Sequence, residues 1–175
     1  AQKQKITDSR GEDRDIIGLA KDLEDAVVQI FFIRGGRLIG RDHFFFRNAA
    51  GSSKQELLST FMKQFYAGTP FIPTEIMTHE KVEEQELLEQ WLSKRKEHRV
   101  HIRVPQKGEK EKLVELARKN AALILNTDKE RLKREEGRTI GAVKELETLL
   151  GLKDIIRMEA FDISNTSGYA SVGSM

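Results

Sequence analysis

The 175-residue chain has no cysteine, only three prolines, and no apolar run approaching the roughly 18 residues that a membrane-spanning helix needs. Without cysteine, disulfide staples, thiol nucleophiles and cysteine-ligated zinc are all excluded. Any chemistry therefore falls to carboxylates, histidines, hydroxyls or a metal that they hold. The opening AQKQKITDSR is too polar for a secretory leader, so the chain reads as a soluble cytoplasmic protein with no membrane partner. Charge of one sign is lacking as well. Thirty Lys+Arg stand against 28 Asp+Glu, a net of +2, and affinity for phosphate then has to come from local clusters. What is present is a 38% hydrophobic share with nine Phe, enough for a modest core and unlike a disordered chain. At about 150 residues per domain, the length fits one domain with a remnant, or two small units.

Residues 1–26 are polar around a short apolar set, Ile16, Ile17, Leu19 and Ala20, and read as a tether or lead-in. Residues 27–33 are β-branched and aromatic, which favours a buried strand. Arg34, Gly35 and Gly36 interrupt it, and adjacent glycines supply the positive φ of a tight hairpin, so 37–46 returns as a paired strand. Ser53 with Glu56 has the spacing of a capping box ahead of Leu57, Leu58, Phe61, Met62 and Phe65 on one helical face. The spacing predicts a helix ending near Gly68, a connector with Pro70 and Pro73, and a short inner strand over 74–78. A second amphipathic helix follows over 83–97, then a strand over 100–104 closed by Pro105.

Leu113, Leu116, Ala117, Asn120, Ala121 and Ile124 form the packing stripe of a long helix opening after Gly108. The charged stretch 129–138 mixes signs at helical spacing, as a solvated helix face does, and 139–150 reads as a further helix capped at Gly151. Residues 155–163 read as a strand, 164–168 as a turn and 169–175 as the start of another strand. The fold class is therefore α/β (α+β), a mixed sheet flanked by helices, with an uncovered hairpin at the end.

Asp162, in the apolar strand MEAFDIS, is the carboxylate most open to a functional reading, the alternative being a cap for the 164–168 turn. Arg34, Arg37 and Arg41, with Arg47, outnumber the single acid Asp42 around the glycine hairpin and make it a candidate phosphate-contacting surface, the alternative being a solvated tip. Asp42 and His43 point to opposite faces of a strand and do not form a shared ligand site, so His43 reads as structural. His79, His98 and His101 lack metal-ligand spacing and are expected on exposed turns or a wet strand face.

Several stretches taken together, VQIFFIRGGRLIGRDHFFF, QFYAG, VPQKGEKEKLVELARKNA, LKREEGRTIGAVKELE and RMEAFDISNTSGYASVGSM, resemble the UvrC family of bacterial excision-repair nucleases across nearly the whole chain. The resemblance implies the central segment of such a protein, after a motif that binds UvrB and up to the first hairpin of the ribonuclease H-like domain that cuts DNA on the 5′ side of a lesion. It implies a divalent metal, Mg²⁺ or Mn²⁺, with Asp162 as one catalytic ligand and the remaining ligands beyond Met175. Damaged double-stranded DNA and UvrB are the implied partners. The fragment by itself is then expected not to incise, and a non-catalytic scaffold that docks DNA or UvrB is the competing role.

Within that resemblance the chain divides into a lead-in over 1–26, an inactive ribonuclease H-like unit over 27–135, and a connecting helix with the opening hairpin of the nuclease domain over 136–175. The inactive unit is inferred from its strand at 27–33, which contains no carboxylate.

Overall fold

A computed structural model describes residues 12–150. Five strands form one mixed sheet in the order β3-β2-β1-β4-β5. They are β1 (Arg14–Lys21), β2 (Ala26–Arg34), β3 (Arg37–Phe46), β4 (Glu75–Thr78) and β5 (His101–Arg103). The helices are α1 (Lys54–Ala67), α2 (Gln85–Lys96) and α3 (Gly108–Leu150). β1, β2 and β3 run as an antiparallel meander, while β4 and β5 add in parallel to β1 through helical crossovers. Among the described residues no helix is long and apolar enough to cross a membrane.

The central strand is β1, which corrects the reading of 1–26 as a lead-in. Its sequence RDIIGLAK has too few alternating polar residues to announce a strand, because both faces are covered and seven of its eight residues are buried. Gly18 lies inside this strand. A Cβ built there would stand 2.3 Å from the backbone nitrogen of Arg118 and 2.4 Å from the carbonyl carbon of Ala117, so the missing side chain is what lets α3 lie against the sheet.

Alternation along β1 and β2 separates two apolar layers. Ile17, Leu19, Val28 and Ile30 face α1 and α2, where Leu58, Met62, Tyr66 and Leu92 complete the larger core. Ile16, Phe31, Ile33 and Met77 meet Val114 and Ala117 of α3, and Ala20 and Val27 meet Ala121 and Leu125 further along. The capping box is present, Ser53 Oγ accepting from the Glu56 amide at 3.1 Å and Glu56 Oε1 accepting from the Ser53 amide at 2.8 Å. Gly35 and Gly36 have φ of 60° and 80°, as the two-residue hairpin requires.

The long helix expected after Gly108 and the further helix expected over 139–150 are one helix of 43 residues, about 65 Å long. Arg131 bridges Asp128 and Glu135 one turn to either side, and nothing in 129–138 prevents continuation. The buried stripe ends at Asp128, and the described side chains of 129–149 are half-buried or exposed. The expected cap at Gly151 and the strands and turn over 155–175 lie outside the described residues.

His79 is not on an exposed turn. Its side chain is 7% exposed, neither ring nitrogen has a hydrogen-bond partner, and the Glu80 carboxylate stands 4.0 Å away. Burial holds its pKa below the ordinary value of 6.5, outweighing the pull of Glu80. Between that value and the depressed one, the unfolded chain takes up a proton that the folded chain refuses, so stability falls as pH drops below about 6.5. Asp15, whose pKa is raised, acts in the opposite direction but is common to wild type and variant. Urea unfolding at pH 7.5 and 5.5 should therefore show a smaller acid loss for His79→Leu than for wild type, and equal losses would contradict this assignment.

Candidate functional site

The first strand carries a carboxylate after all. Asp15, the second residue of β1, shares the α1 face with Ile17 and Leu19 and is 1% exposed, between Phe32 of β2 and Ile76 of β4 in register. Both of its oxygens are engaged. Arg34 Nη1 donates to Oδ1 at 2.9 Å, and the Tyr66 hydroxyl donates to Oδ2 from α1. Antiparallel pairing sets Ile33 opposite Arg14 and so delivers Arg34, the last residue of β2, to the start of β1.

The arginine is itself confined. The same Nη1 also donates to the carbonyls of Arg14 at 3.1 Å and Ile33 at 2.9 Å, and the guanidinium lies 4.3 Å from the centre of the Phe71 ring. The glycine turn is tied to the same end of β1, with the Gly35 amide donating to Asp13 Oδ1 at 2.9 Å and the Gly36 amide to the Glu12 carbonyl at 3.1 Å.

Burial raises the pKa of Asp15, while the charge of Arg34 and the hydrogen bonds from Tyr66 and Arg34 draw it back. Burial, with Asp15's charge beside it, pushes the Tyr66 hydroxyl well above its ordinary value, so it remains a donor. A divalent metal such as Mg²⁺ takes several hard oxygens and keeps positions for water or phosphate. Here both oxygens are taken, one of them by a cation, and no group of three or more His, Asp or Glu close enough to hold a metal occurs among the described residues. Asp15 as held here does not fit a divalent metal, and the position to which the resemblance assigns one, Asp162, lies outside the described residues.

Two further ion clusters tie the domain together. Arg14, 3% exposed, donates to Glu75 at the start of β4, and Arg103 reaches the other oxygen of Glu75 at 2.7 Å. Burial opposes ionisation of Glu75, but Arg14, Lys110 and Arg103 outweigh it and leave its pKa lowered. Arg47, just beyond β3, donates to Asp128 of α3 at 2.7 Å and to Asp25 at 3.2 Å.

The hairpin arginines do not form one surface. Arg34 is committed to Asp15. The β2/β3 register shifts between Phe32 and Ile33, so Arg37 pairs with Arg34 on the α1 side, whereas Arg41 pairs with Phe31 on the α3 side. Arg37 and Arg41 are exposed, and their side chains form no hydrogen bond or ion pair among the described residues. Asp162 lies outside those residues. Sequence reasoning missed Asp15 and Tyr66, although an acid directly ahead of Ile16, Ile17 and Leu19 was a signal available in β1.

An antiparallel meander extended in parallel by two crossover strands, with helices on both faces, defines a ribonuclease H-like α/β domain. A family model described as UvrC Ribonuclease H-like domain matches residues 13–128, and the chain belongs to that family. The match begins one residue before β1 and ends where α3 leaves the sheet. Proteins named UvrABC system protein C are similar over the whole chain: 57% identity over 175 residues in Lachnospira eligens, covering 100% of this chain and 29% of that protein. The counterpart in Alkaliphilus metalliredigens is 43% identical over 99% of this chain and 28% of its own length. In Clostridioides difficile the figures are 44%, 99% and 29%. The chain thus spans less than a third of the curated relatives it matches.

Removing the Tyr66 hydroxyl leaves a buried oxygen of Asp15 short of a donor, which costs about 1–3 kcal/mol. Tyr66→Phe should lower the urea midpoint at pH 7 by a corresponding amount with the slope unchanged. An unaltered midpoint would show that this hydrogen bond contributes nothing.

Proposed function

We propose that residues 12–128 are a non-catalytic ribonuclease H-like platform within the nuclease subunit of a DNA excision-repair system, standing ahead of the domain that cuts. The observation that carries this is the state of the carboxylate in the central strand: Asp15 is buried, held by Tyr66 and neutralised by Arg34. A guanidinium supplies the positive charge there, and it offers neither exchangeable coordination positions nor activation of water. The membership in the UvrC family and the name shared by the relatives support the repair role.

In this reading the larger protein incises damaged double-stranded DNA on the 5′ side of a lesion, in the cytoplasm and together with UvrB. Asp162 supplies one ligand of a Mg²⁺ or Mn²⁺ site completed by residues beyond this chain. The 175-residue chain alone therefore does not cut, and its own part is to hold neighbouring modules and to meet DNA. Of the hairpin arginines, Arg37 and Arg41 are available for DNA, while Arg34 serves the interior.

Two substitutions in the full-length subunit, assayed with its repair partners on a duplex containing one lesion, test the assignment. Asp162→Ala should abolish the 5′ cut, while Asp15→Asn should retain it wherever the variant remains folded by circular dichroism. Cutting by Asp162→Ala, or loss of cutting by a folded Asp15→Asn, would overturn it.

A further inference from the structure

α3 lies over β1 and β2 and meets the end of β3 at Phe45, and before that end an open groove of about 320 Å³ runs between the edge strand and the helix. Its strand wall carries Arg41 and His43, its helix wall Asn120, Leu123 and Ile124, and the buried Gln29 lies at its base. The chemistry is one-sided. Arg41 is an exposed guanidinium, and both it and the Asn120 amide form no hydrogen bond or ion pair among the described residues. Asp42 is the one acid of the lining, 8% exposed, and its Oδ1 accepts from the His43 backbone amide at 2.8 Å. Arg47, the next arginine along, is drawn away by Asp128 and Asp25.

We propose that this groove binds the phosphodiester backbone of a nucleic acid strand, with Arg41 and Asn120 donating to a phosphate and Leu123 and Ile124 supporting the adjoining sugar. Complementarity selects this occupant. A guanidinium fork and an amide match the paired oxygens of a phosphate, and the apolar ledge along α3 accepts a ribose or deoxyribose edge without asking for polar partners. Contacts to phosphate and sugar position a strand without reading its bases, so the proposed binding is independent of sequence. His43 borders the site edge-on to Phe45, with 5.5 Å between ring centres. The inference rests on the nucleic-acid reading above, and it replaces the expected three-arginine surface with one arginine and residues of a helix remote in sequence.

The test uses the 175-residue chain and a short fluorescein-labelled duplex, with anisotropy read across a salt series. Arg41→Ala should weaken binding three- to tenfold and reduce the salt slope by about one. Asn120→Ala should weaken it at least twofold with the slope unchanged, and Arg99→Ala, an exposed arginine outside the groove, should alter affinity less than twofold. Failure of the wild-type chain to bind, wild-type affinity in Arg41→Ala, or an equal loss in Arg99→Ala would each overturn the site. None of these results bears on whether Asp162 is required for incision, so the groove and the repair role fail separately.

Discussion

One ion pair, between a buried carboxylate and a half-buried guanidinium, holds the start of the central strand. Asp15 and Arg34 come from different strands, meet at the edge of the larger core, and are joined by the Tyr66 hydroxyl from the helix above. Removing two charges from water costs several kcal/mol per ion, and the return depends on geometry and on further hydrogen bonds. Both conditions are met. The carboxylate has a donor on each oxygen, and the guanidinium spends its hydrogen bonds on carbonyls and rests on Phe71. The strand-end arginine, the glycine turn that follows it and the acids just before β1 form one connected arrangement, which fixes the hairpin against the central strand.

That arrangement leaves each oxygen of Asp15 engaged by a donor of the protein itself. The rest of the domain is built for rigidity in the same way. Gly18 lets α3 settle on the sheet at backbone contact, and Arg47 clamps β3 to the helix through Asp128 at the point where the sheet ends. Past that point α3 continues for more than five turns with no buried side chain among its described residues.

Much of the fold was legible because local signals were strong. The Gly35-Gly36 turn, the Ser53-Glu56 box and the period-two strand before Pro105 each gave an element close to where it stands. β1 was missed because a strand buried on both faces loses its alternation, and its internal glycine is a packing contact with α3. The reading of an acid-free first strand failed with it, because the first strand is β1 and it carries Asp15. The opposed faces of Arg37 and Arg41 depend on a register shift, and the groove depends on where α3 crosses the sheet. Neither is written in residue order. His79 looked solvent-facing because nothing in its neighbours announces that two unpartnered nitrogens will be buried.

The most direct measurement is a double-mutant cycle on the central pair, using Asp15→Asn, Arg34→Met and the combination, with unfolding free energies from urea at pH 7. Each single change strands a buried partner, while the double change removes both charges together. The account predicts a coupling energy above about 2 kcal/mol, with the double variant markedly more stable than the sum of the single losses implies. Additivity within about 0.5 kcal/mol would mean that the two side chains do not depend on each other, and the locked site would have no physical basis.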